Sequence, residues 1–115
     1  MRAVPQGRVR VSLHGDVFWV TVHGETDCAD AEEFEAVWQA ADEAGLSVTA
    51  VDLSRVTFAD SMLLNTLLDA RRRHQRAGRE FILLGPLPPP VHRLLELSGT
   101  LPHFTVADTG PSTTS

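Results

Sequence analysis

The run Phe81-Ile82-Leu83-Leu84 is apolar at every position and lies between two stretches patterned for helices. A strand wetted on one face alternates apolar with polar residues. One that does not alternate is buried on both faces, as parallel strands inside an α/β sheet are. The preceding segment fits that setting. From Ser61 to Ala77, the residues Leu63, Leu67, Ala70, His74 and Ala77 form one helical stripe, and Asn65, Asp69, Arg72 and Arg76 form an outer one. Gly78 is placed to end this helix. Val48 to Leu53 reads as the strand before it, so two strands flank a helix and are expected to be parallel with a right-handed crossover.

Upstream, Val9, Val11 and Leu13 alternate with Arg10, Ser12 and His14, the pattern of a half-buried strand. Gly15-Asp16 then turns the chain into a second strand, Val17 to His23, which makes an antiparallel hairpin. A helix from about Cys28 to Ala44 follows, with Phe34, Val37, Trp38 and Ala41 on one face. Asp27 is its expected N-cap and Gly45 its C′ residue, and Asp30, Glu32 and Glu33 crowd a first turn where the helix dipole favours negative charge. After the fourth strand, Pro88-Pro89-Pro90 leads into a short helix with Val91, Leu94 and Leu95 facing in and Gly99 ending it. Phe104 to Val106 supplies a last edge strand. The predicted order is ββαβαβα, with that edge strand as an optional addition at the end. It describes a single α/β domain over residues 8–108, a mixed four- to five-stranded sheet with Phe81–Leu84 as a central strand, and three helices packed mainly on one face. Residues 109–115 are Gly, Pro, Ser and Thr only and are expected to be a disordered tail.

Composition narrows the function. A chain of 115 residues with 43% apolar content supports one core and no second domain. Cys28 is the only cysteine, so neither an internal disulfide nor a cysteine-based zinc site can close, which suits a reducing compartment. The apolar runs are too short to span a bilayer, and Met1 to Pro5 shows no apolar signal core. The expected location is therefore the cytoplasm, without a membrane partner. The formal net charge of −5 repels nucleic acid at long range. The one basic cluster, Arg71-Arg72-Arg73 with Arg76 and Arg79, has no interleaved aromatics and reads as a solvated helix face.

Few residues offer chemistry. The five histidines, His14, His23, His74, His92 and His103, include no i, i+4 helical pair and no compact group with a carboxylate, so no metal or other cofactor is expected. Cys28 at a helix start has acidic neighbours and no identified base, which argues against a nucleophile. Gly24-Glu25-Thr26-Asp27 joins the second strand to the first helix. Its free amides suit an anion, its two carboxylates oppose one, and a turn with an N-cap accounts for it as well. With no acid and base beside a credible nucleophile, no catalytic residue is expected and the chain is not read as an enzyme. The segment Val51 to Ser61 runs from a buried strand through a short loop to Asp60-Ser61. Either residue can simply cap the helix, or Ser61 can be displayed at the strand-end edge where α/β proteins meet their ligands.

Several pieces together resemble the STAS domain of anti-sigma factor antagonists. They are Gly24-Glu25-Thr26-Asp27, Val51-Asp52-Leu53-Ser54 with Val56-Thr57-Phe58, Asp60-Ser61, Ala70-Arg71-Arg72-Arg73 with Ala77-Gly78, and Val91 to Gly99. The resemblance runs from about residue 8 to 108. It implies a transcription regulator that binds an anti-sigma factor with ATPase-fold serine kinase activity, has no nucleic-acid partner, and can form a weak homodimer. It implies phosphorylation of Ser61, and a partner surface of Gly24, Glu25, Thr26, Asp27, Asp60, Ser61, Met62 and Leu63. The family usually places a small hydroxyl residue and then glycine after the phosphorylated serine, where this chain has Met62 and Leu63. A STAS-like interaction module that is not phosphorylated, and a nucleotide or small-molecule sensor using the Gly24–Asp27 loop, are the alternatives.

Overall fold

The protein is described by a computed structural model covering residues 9–26 and 28–108. Five strands and three helices alternate as β1 (Val9–His14), β2 (Val17–Glu25), α1 (Ala31–Ala44), β3 (Val48–Phe58), α2 (Ser61–Ala77), β4 (Glu80–Gly85), α3 (Pro89–Leu97) and β5 (Thr105–Asp108). The strands form one sheet in the order β1-β2-β3-β4-β5. β1 is antiparallel to β2, and every other pairing is parallel. The helices cover one face. Phe81–Leu84 does lie in an interior strand, paired on both sides, but the middle position belongs to β3 because β5 adds beyond β4.

Phe18, Val20 and Val22 of β2, Val51, Leu53 and Val56 of β3, and Phe81 and Leu83 of β4 form the floor of the core. Phe34, Val37, Trp38 and Ala41 of α1 close it from above, with Leu63, Leu67 and Ala70 of α2 and Val91 and Leu95 of α3. Trp38 is fully buried, meets Phe81 edge-on at 5.7 Å between ring centroids, and donates its Nε1–H to Thr66 Oγ1 at 2.8 Å. His74, also fully buried, bonds Ala70 O through Nδ1 and Thr49 Oγ1 through Nε2, each at 2.7 Å. Because a carbonyl can only accept, Nδ1 carries the proton and Nε2 accepts from the threonine. Burial, opposed by the Ala70 bond and reinforced by Arg79 and Arg73, holds the imidazole below its ordinary pKa.

Several expectations need correction. The first helix does not start at Cys28. A 3-10 turn spans Cys28–Asp30, and α1 begins at Ala31 with Asp30 at the N-cap position. Asp27, the side chain of Cys28 and the tail from residue 109 lie outside the described residues. β2 continues through Glu25 and β3 through Phe58, so part of the expected loop on each is strand. Ala77, in the last turn of α2, is exposed. Leu94 of α3 is half-buried. The basic cluster is not simply solvated: Arg73 pairs with Glu35, Asp42 and Asp69, and Arg79 bonds Asp42 Oδ1 at 2.5 Å and Ala41 O at 3.2 Å, tying α2 and the turn after it to α1. Arg71 Nε donates to His103 O at 2.6 Å. Among the described residues no helix is long and apolar enough to cross a membrane.

Candidate functional site

The carboxyl ends of β2 and β3 and the start of α2 come together at one end of the molecule. Asp60 has extended backbone (φ −134°, ψ −171°), and its Oδ1 accepts the amides of Met62 at 3.1 Å and Leu63 at 3.5 Å. This is the side-chain N-cap the sequence suggests. Capping by Asp60 leaves Ser61, the next residue, at the first helical position and exposed. Its hydroxyl is free of any structural duty at the cap.

The residues after Ser61 divide in two. Leu63 is fully buried, and Met62 is half-buried against the core. The bulk of Leu63 therefore fills the interior and leaves the outer surface unaltered. Only Met62 adds apolar area beside the serine.

The end of β2 with Thr26 just beyond it is bound to the same end. Glu25 pairs with Phe58 in the strand register, and both the amide and the hydroxyl of Thr26 donate to Phe58 O, at 3.3 and 3.2 Å. Gly24 has φ +84°, a conformation that costs a side-chain-bearing residue much more. Thr26 is fully buried, so it anchors this segment, while the exposed Glu25 faces solvent. Of the eight residues the sequence proposes as a partner surface, Thr26 and Leu63 thus hold the site in place from within. Gly24, Glu25, Asp60, Ser61 and Met62 keep solvent-accessible area.

Sequence reasoning missed an apolar groove on this end, of about 520 Å³, formed where Phe58 and Ala59 meet Pro89, Pro90, Arg93, Leu94 and Leu97 of α3. Phe58 is 52% exposed and Leu97 80%. Both are large apolar side chains at outward positions, and that mismatch between residue type and face is the signal that could have found them. Among the described residues no three His, Cys, Asp or Glu side chains gather as metal ligands would.

The model of the "Mlab, STAS domain" family matches residues 9–100. The chain belongs to that family, and a STAS domain is a regulatory module, not a catalyst. A comparison with curated protein sequences gives no significant match. Among solved structures, an anti-sigma factor antagonist from Mycobacterium paratuberculosis is 25% identical, with a TM-score of 0.76 over 90% of this chain and 85% of that one. The Bacillus cell fate determinant SpoIIAA in its phosphorylated form is 21% identical, with a TM-score of 0.71 over 90% and 92%. The anti-sigma factor antagonist SpoIIAA in its unphosphorylated form is 20% identical, with a TM-score of 0.75 over 90% and 89%. The two SpoIIAA structures share the fold of this chain.

Proposed function

We propose that this protein is a cytoplasmic anti-sigma factor antagonist whose binding is switched by phosphorylation of Ser61. The observation that carries this reading is the exposed Ser61 at the first position of α2, with its cap supplied by Asp60. A kinase can reach that hydroxyl without dismantling the helix start. Membership of the STAS family and the likeness to an antagonist at 25% identity support the same assignment.

The partner in this reading is an anti-sigma factor with an ATPase-fold serine kinase domain. It docks on the end of the molecule carrying Gly24, Glu25, Asp60, Ser61 and Met62, and places apolar side chains in the groove between Phe58 and Leu97. Phosphate on Ser61 brings up to two negative charges into that contact. Asp60 lies alongside, so the local charge becomes strongly negative. Desolvating it against the partner is costly. Sigma-factor release is thereby coupled to the phosphorylation state.

Met62 favours a second reading, a STAS interaction module that is not phosphorylated, because it puts a large thioether side chain where the family has a small hydroxyl residue beside the serine. Intact-mass measurement after incubation with ATP and the cognate kinase separates the two. A gain of one phosphate that is lost in Ser61→Ala supports the switch. No gain supports the unphosphorylated module.

A further inference from the structure

The sheet face opposite the helices carries a cluster of cationic side chains that the partner site does not use. Arg10 of β1 pairs in register with Thr21 of β2, and His23 of β2 pairs with Arg55 of β3. These four line one surface concavity of about 580 Å³. Neighbours on adjacent strands lie roughly 5 Å apart, and i, i+2 neighbours roughly 7 Å apart, so side chains from all three strands border the same concavity.

A bulge produces the cluster. Thr21 pairs with Asp52, but His23 pairs with Arg55, so β3 spends three residues where β2 spends two. Strict alternation from Asp52 would send Arg55 to the core face. The extra residue returns it to the open face and keeps Leu53 and Val56 buried on the other. On the same face Asp52, in register with Thr21, accepts the Ser54 amide through Oδ1 at 2.9 Å and does not line the concavity. The side chains of Arg10, His23 and Arg55 have no ion-pair or hydrogen-bond partner among the described residues. In a chain of net charge −5, two guanidiniums and an imidazole converging unpaired is an arrangement that an anion relieves.

We infer that this concavity binds a small phosphoryl anion, with Arg10 and Arg55 as charged donors and Thr21 and His23 completing the hydrogen bonds. Arginine suits the role because its planar fork matches phosphate oxygens in a bidentate manner. The site lies on the open sheet face and shares no lining residue with the Phe58–Leu97 groove.

The test is an NMR titration of the full chain with inorganic phosphate, glycerol 3-phosphate and a phosphoserine peptide, repeated on Arg10→Ala, Arg55→Ala and Arg93→Ala. Saturable shifts confined to β1, β2 and β3 around the four residues, weakened roughly tenfold by either of the first two substitutions and untouched by Arg93→Ala, are expected. Tighter binding of glycerol 3-phosphate identifies a free metabolite as the source of the phosphoryl group, and tighter binding of the peptide identifies a phosphorylated protein. No saturable shift on these strands with any probe, or unchanged affinity in both Arg10→Ala and Arg55→Ala, overturns the inference. Thermal melts of the variants, all three at exposed positions, show whether the fold has been kept.

Discussion

Oδ1 of Asp60 accepts the amide of Met62 at 3.1 Å, so the helix that presents Ser61 begins with an anion already in place. Asp60→Ala removes that cap and should cost about 1 kcal/mol, read as a lower denaturant midpoint at unchanged slope. Ser61→Asp should leave thermal stability nearly unchanged. The helix dipole favours the new charge, Asp60 opposes it, and the side chain stays in solvent. A large loss of stability in Ser61→Asp would show that the serine is structural.

Trp38 joins α1 to α2 and β4. Truncation to Ala in a fully buried site should cost about 3–5 kcal/mol. Trp38→Phe keeps most of the apolar packing but loses the bond to Thr66, so a cost well below that of the alanine variant is expected. Equal losses in the two variants, measured by chemical denaturation, would contradict the packing described.

His74 makes folding sensitive to acid. Its folded pKa lies below the ordinary imidazole value of 6.5 because burial disfavours the cation. Above pH 6.5 both folded and unfolded states are neutral at this position, and its contribution to stability is complete. As pH falls below that value the unfolded chain takes up a proton that the folded chain refuses, and stability declines until the folded pKa is passed. The unfolding free energy should fall as pH drops below 6.5, and His74→Gln should flatten that slope. An unaltered slope in the variant would assign the acid sensitivity to other groups.

The groove at Phe58 and Leu97 is exposed, so its residues should matter to a partner far more than to the fold. Phe58→Ala and Leu97→Ala should change stability by about 0.5 kcal/mol or less each. At least one should weaken anti-sigma factor binding by roughly 2 kcal/mol, as a central apolar anchor does. Calorimetric titration of the two variants, with their melting curves, checks both halves.

Much of this architecture is written locally in the chain. The bounds of α2 follow from two signals, Asp60 at one end and Gly78 at the other, and both act within a turn of the helix they delimit. The start of α1 is less legible: Asp27 is the cap the pattern suggests, whereas the helix begins at Ala31 after a 3-10 turn over Cys28–Asp30, and Asp30 at the N-cap position makes no side-chain cap bond. Polar Ser54-Arg55 interrupts the apolar run after Leu53, yet β3 continues to Phe58. The bulge that lets the strand continue is a property of its pairing with β2. The ion pairs of Arg73 with Glu35 and Asp42, and of Arg79 with Asp42, join residues 31 to 38 positions apart, a distance at which no local pattern survives. The site itself was half legible. Asp60-Ser61 stands at a helix start in plain sequence, but the groove is assembled from the end of β3 and the outer face of α3, which only the fold brings together.

The central claim is a charge-controlled complex at Ser61, and its most direct measurement is the affinity of the cognate anti-sigma factor for wild type, Ser61→Ala and Ser61→Asp. The account predicts that wild type and Ser61→Ala bind alike without ATP, that Ser61→Asp binds at least roughly tenfold more weakly, a loss of about 1.4 kcal/mol or more, and that ATP weakens the wild-type complex while sparing Ser61→Ala. Equal affinity for all three proteins, unchanged by ATP, would contradict it.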